Sequence, residues 1–147
     1  MKHERTHIFE NIVFQNANKP AKTVFSGPGE MEIGPATEFG GSGQTLNPEE
    51  MFVAAINGCL MNTFFYFTQK FNIEFLSCYS QAQGQLEKQS DGFRFTSVKV
   101  QAKVQLPDNK AAEKVHEAGQ LAERYCLVSR SVACHVDYQL EVEINGK

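Results

Sequence analysis

The chain has 147 residues, of which 41% are hydrophobic, 21% charged and 11% aromatic, with a formal net charge of -3. This is the composition of a folded chain rather than a disordered one, and its length suits one domain, residues 1–147, with a real core. The charge balance offers no broad attraction for nucleic acid, and the lysines are scattered rather than gathered into a basic stripe.

The first residues, Met1 to Ile8, carry charges but lead into no apolar run or small-residue cleavage site, so no secretory signal is read and a cytoplasmic location is expected. Short strands and turns follow. Thr6–Phe14, Lys22–Phe25 and Met31–Ile33 show partial alternation across Ser26-Gly-Pro-Gly29, which predicts a small meander. Gly34-Pro35 and Gly40-Gly-Ser-Gly43 predict a flexible connecting loop; the glycines lack the Lys-Ser/Thr ending of a phosphate loop.

Asn47-Pro48-Glu49-Glu50 is the strongest local signal. Asn can accept an orphan amide, Pro fits the first helical position, and Glu50 sits where a capping box has its acid. The helix is predicted from Pro48 to about Gln69 and is apolar on nearly every face, so other elements are expected to surround it. Its apolar run, Met51 to Phe67, is interrupted by Asn57, Gly58 and Asn62 and is shorter than the about 20 residues of a bilayer span; no membrane partner is expected.

Ser77–Leu86 and Phe93–Leu106 read as a hairpin joined at Gln89-Ser-Asp-Gly92. In the second arm Val98, Val100, Ala102, Val104 and Leu106 alternate with Lys99, Gln101, Lys103 and Gln105, which predicts one buried face and an antiparallel sheet. A second helix is predicted over about Lys110–Tyr125, and a last strand runs from Val132 to Ile144 with Cys134 among its core positions. The fold class is α+β.

Four cysteines remain to be explained, Cys59, Cys78, Cys126 and Cys134. They form no Cys-x-x-Cys pair, and His3, His7, His116 and His135 are dispersed as ordinary surface residues, so no metal or other cofactor is expected. In a reducing compartment buried thiols are either inert small hydrophobes or participants in transient redox chemistry. Cys78 and Cys134 fit the first description. If the fold unites Cys59 and Cys126, one thiolate can attack a peroxide and the other can close a disulfide on the product. Burial in a helix raises a thiol pKa, so Cys59 would need a nearby positive group. Glu49 and Glu50 serve as helix-capping charges, and Glu49 lies about 15 Å from Cys59 along a straight helix axis.

Gly40-Gly-Ser-Gly43, the run from Asn47-Pro-Glu to Cys59, and Cys126-Leu-Val-Ser129 together resemble the osmotically inducible protein C and organic hydroperoxide resistance (OsmC/Ohr) family, with element order matching over nearly the whole chain. The resemblance implies an intertwined homodimer with long central helices enclosed by antiparallel sheets. It also implies reduction of organic hydroperoxides, with Cys59 peroxidatic, Cys126 resolving and an external dithiol as reductant. The family glutamate falls on Glu49. The family arginine has no counterpart in Asn18-Lys-Pro-Ala-Lys22, where Lys19 is nearest and Lys22 next; a lysine supplies a point charge but no bidentate clamp. Leu127 stands where the family has proline, and Ser129 is read as the cap of a short helix. The absent arginine leaves an alternative: a non-catalytic member that binds a small apolar ligand at the dimer cleft.

Overall fold

The computed structural model describes residues 5–145, which divide into two compact units between Met51 and Phe52. The reading of His3 falls outside the described residues.

The first unit is built on a three-stranded antiparallel meander, β1 (Ile12–Phe14), β2 (Ala21–Phe25) and β3 (Gly29–Ile33), paired in that order. Asn18, at a φ of 64°, makes the turn between the first two strands. Thr23 is fully buried on β2 and donates its hydroxyl to Asn11 Oδ1 at 3.1 Å, while Asn11 Nδ2 donates to the Val24 carbonyl at 2.8 Å. A buried hydroxyl needs such a partner, and this pair ties the leading segment to the sheet. The glycine-rich connection is not a loose linker. It folds over a short 3-10 turn, Thr37–Phe39, and the amides of Gly40 and Gly41 donate back to the Thr37 and Ala36 carbonyls at 3.1 and 3.0 Å. A Cβ on Gly41 would overlap the Pro35 carbonyl oxygen, so glycine is required by close approach.

The helix α1 (Pro48–Lys70) starts where the cap signal puts it: the Glu50 amide donates to Asn47 Oδ1 at 2.8 Å. It ends at Lys70, one residue beyond the expected Gln69; by length and composition alone its 23 residues could cross a bilayer, a test that a core helix also passes. Its contacts in the second unit are those of a core helix. Ile56, Leu60, Phe64 and Thr68, four residues apart, form one buried stripe. Ala54, Ala55, Gly58, Asn62 and Tyr66 are exposed, so the expectation of burial on nearly every face does not hold within one chain. Asn57 and Ser80 fix the rotation of the helix: Ser80 Oγ donates to Asn57 Oδ1 at 2.6 Å and Asn57 Nδ2 donates to the Ser80 carbonyl at 3.3 Å.

The second unit holds a sheet ordered β4 (Ser77–Gln89), β5 (Gly92–Leu106), β6 (His135–Ile144). The hairpin is antiparallel as expected, with a register irregularity between Gln85 and Leu86. The last strand is different. β6 runs parallel to β5, from Ser97 opposite His135 to Leu106 opposite Ile144, so the sheet is mixed. Residues 107–134 make this possible, because a chain of that length carrying α2 (Ala112–Tyr125) can cross back before pairing. The strand also starts later than its alternation suggests, at His135 rather than Val132, because the chain bends at residues 133 and 134 before pairing.

The core lies in two clusters along the β5 face. Phe64, Val104, Leu106, Val115, Ala118 and Ala122 bring α1, β5 and α2 together. Ile56, Leu60, Val98, Val100 and Cys126 form the other, with Cys59 and Cys134 at its margin. Small residues set the close approaches: a Cβ on Gly84 would meet Val53 Cγ2 at 2.6 Å, and one on Gly119 would meet Leu140 Cδ1 at 3.1 Å.

Candidate active site

Cys59 is half-buried on α1, and Cys126 is buried at the C-terminal end of α2, where its amide makes the closing helical bond to the Ala122 carbonyl at 2.9 Å. Its backbone is extended (φ -61°, ψ 115°), which ends the helix and turns the chain back toward α1. Val128 then returns to helical angles (φ -70°, ψ -45°) and leads into the 3-10 turn Ser129–Ser131. Three bonds hold this turn: Arg130 N–H to the Cys126 carbonyl at 3.2 Å, Ser131 N–H to the Val128 carbonyl at 2.9 Å, and Ser131 Oγ to the Leu127 carbonyl at 2.8 Å.

The turn aims its backbone donors at sulfur. Burial pushes the Cys59 thiol up, but hydrogen bonds from the Val128 amide, the Cys126 thiol, the Leu127 amide and the Thr63 hydroxyl outweigh it and hold the thiol below the ordinary cysteine value of 9.0. Thr63, the smallest of these contributions, is one helical turn beyond Cys59, and its single hydroxyl proton is shared with the Cys59 carbonyl, to which it donates at 2.7 Å. Cys126 moves the other way. Burial raises it, and so do its bond to Cys59 and the charge of a Cys59 thiolate; the Ser129 hydroxyl and amide pull it down without prevailing.

The pair therefore loses one proton early and the second late, with the first negative charge held on Cys59 and Cys126 as its S–H donor. Thiolates, not thiols, alkylate. As pH is raised toward 9.0, iodoacetamide is expected to label Cys59 well before Cys126, as peptide mapping of briefly treated protein would show. Equal labelling of both, or Cys126 first, would contradict this ordering.

The positive group expected from the sequence is not among the described groups that lower the Cys59 thiol; neutral hydrogen-bond donors, led by the Val128 amide, do so instead. Lys19 is exposed beyond Asn18 in the β1–β2 turn, its amide bonded to the Asn16 carbonyl at 3.1 Å and its carbonyl accepting from Gln15 Nε2 at 3.0 Å. Glu49 lies in the first turn of α1, and its Oε2 is buried without a hydrogen-bond partner. Ser129 caps nothing: Val128 precedes the turn and no side-chain cap bond is made. Cys78 contacts Met61 sulfur at 3.3 Å, and burial raises its thiol. Among the described residues no three His, Cys, Asp or Glu side chains gather as metal ligands.

Residues 41–141 match the family described as OsmC-like protein. The chain belongs to that family. Among curated proteins no sequence match was found. The fold is that of solved OsmC/Ohr proteins. An OsmC-like protein of unknown function from Vibrio cholerae superposes with a TM-score of 0.82 at 20% identity, covering 92% of this chain and 99% of that one. An organic hydroperoxide resistance protein OsmC from Legionella pneumophila gives 0.71 at 20% identity, over 95% and 99% of the two chains. Another organic hydroperoxide resistance protein, from Elizabethkingia anophelis, gives 0.74 at 17% identity, over 97% and 99%.

Proposed function

We propose that this OsmC-like protein is a thiol-dependent peroxidase that reduces organic hydroperoxides in the cytoplasm. The observation that supports the reading is that Cys59 packs against the core cluster that contains Cys126, with its thiol held below the ordinary cysteine value. Cys59 sulfur attacks the outer peroxide oxygen; an S–O bond forms, the O–O bond breaks, and the alkoxide leaves as an alcohol after taking up a proton. Cys126 sulfur then attacks Cys59 sulfur, forming the disulfide and releasing water, and an external dithiol restores both thiols.

The protein acts as a homodimer in this reading. Tyr66, Leu76, Tyr79 and Phe93, all more than half exposed in one chain, supply apolar surface for a second copy to cover. Intact-mass measurement after mild treatment with an organic hydroperoxide tests the proposal. The expected product has lost two hydrogens, with a Cys59–Cys126 linkage found on mapping. Two unmodified thiols would replace redox cycling by a binding role.

A further inference from the structure

Ser129 Oγ is buried, and no oxygen or nitrogen is its hydrogen-bond partner in the dithiol. The turn around it is otherwise satisfied: the carbonyls of Cys126, Leu127 and Val128 all accept bonds, and Ser131, two residues on, uses its hydroxyl for one of them. Ser129 lies inside the turn that the Arg130 amide closes onto the Cys126 carbonyl at 3.2 Å, and its hydroxyl acts on the Cys126 thiol. A thiol sulfur is a weak acceptor, whereas a thiolate is a charged one, so this hydroxyl gains its full partner only when Cys126 loses its proton.

The order of events supplies the need. Burial and a neighbouring Cys59 thiolate both keep Cys126 protonated at rest. Oxidation converts Cys59 to a neutral sulfenic acid, which removes that charge and leaves burial as the obstacle to forming a second thiolate. We propose that Ser129 is a resolving-step residue whose hydroxyl donates to the Cys126 thiolate while it attacks the oxidised Cys59. In that step the S–S bond forms and the Cys59 S–O bond breaks. The departing hydroxide takes up the proton given up by Cys126 and leaves as water. This assignment rests on the peroxidase reading; Thr63 has the matching place beside Cys59.

The test uses the full chain with one equivalent of cumene hydroperoxide, with dimedone trapping of the sulfenic acid and mass spectrometry over time. In Ser129→Ala the trapped Cys59 adduct accumulates, and disulfide closure slows by about tenfold or more, the effect of losing one charge-assisted hydrogen bond. The pH midpoint of closure moves upward. Ser129→Thr and Ser129→Val are nearly equal in volume, so they isolate the hydroxyl if alanine disturbs folding: closure is fast in the first and slow in the second. A second arm needs no peroxide. In a Cys59→Ser background, the pH midpoint for alkylation of Cys126 is higher in Ser129→Val, which lacks the hydroxyl, than in Ser129→Thr, which keeps it. If the wild type forms no sulfenic acid the peroxidase reading fails, and this second arm still decides whether the hydroxyl stabilises the thiolate. Equal midpoints in the two variants overturn the inference.

Discussion

Hydroperoxide consumption driven by a dithiol is expected to fall to the uncatalysed level in Cys59→Ser. A serine hydroxyl in the same place is not ionised near neutral pH and cannot form a sulfenic acid, so no part of the cycle survives. Cys126→Ser is expected to behave differently. Cys59 keeps the amides of Leu127 and Val128, so it still reacts once with peroxide, and the sulfenic acid then waits for the external thiol. A thiol held against the sulfur acts at an effective concentration far above a millimolar reductant, so steady-state turnover should drop by about 10²-fold or more. Purified wild type and both variants, compared for peroxide loss and for sulfenic acid trapped per chain, give the answer. Undiminished turnover in Cys59→Ser would end the mechanism, and undiminished turnover in Cys126→Ser would take the resolving role from that residue.

Much of the frame that carries these sulfurs is legible in residue types. Asn47-Pro48 announces the start of α1 because an N-cap acceptor and a first-turn proline are chemical requirements of a helix end, and the Asn47–Glu50 bond meets that requirement. The alternation from Val98 to Leu106 gives the inner face of β5 for the same kind of reason. It does not give the direction of a neighbour: alternation is identical in parallel and antiparallel strands, and the parallel entry of β6 is decided by the crossover through α2.

The electrostatics of the site are less legible. The donors facing Cys59 from Leu127 and Val128 are peptide N–H groups, which every non-proline residue possesses, so no residue type marks them. What matters is the turn, and the reading that Leu127 stands where the resemblance implies a proline gains meaning there. A proline has no N–H, so leucine at this position adds a donor to the Cys59 thiolate. Thr63 can be found from its spacing, since a residue four beyond Cys59 shares its helix face. Ser129 is visible as a hydroxyl three residues beyond Cys126, and only burial without an oxygen or nitrogen partner separates it from an ordinary turn serine.

Phe64→Ala is expected to give the largest loss of stability. Phe64 is 1% exposed and sits where α1 meets Val104 and Leu106 of β5 and Val115, Ala118 and Ala122 of α2. Its ring also lies 6.1 Å from that of Phe65 and 6.3 Å from that of Phe75. Truncation removes the transfer free energy of the ring and leaves a cavity that helices pinned on both sides cannot fully close, a cost of about 3–5 kcal/mol. Against a total stability of roughly 5–15 kcal/mol this is a large fraction, equivalent to a fall in melting temperature on the order of 10 °C. Phe64→Leu keeps most of the volume and should cost about half as much or less. The loss also reaches the chemistry, because the same cluster seats α2, whose end carries Cys126. Urea titration and thermal unfolding of the two variants measure the first effect, and the rate of Cys59–Cys126 closure after peroxide measures the second. A cost near zero for Phe64→Ala would mean that this contact does not hold α2 in place, and the resolving sulfur would then owe its position to the Cys126–Ser131 turn alone.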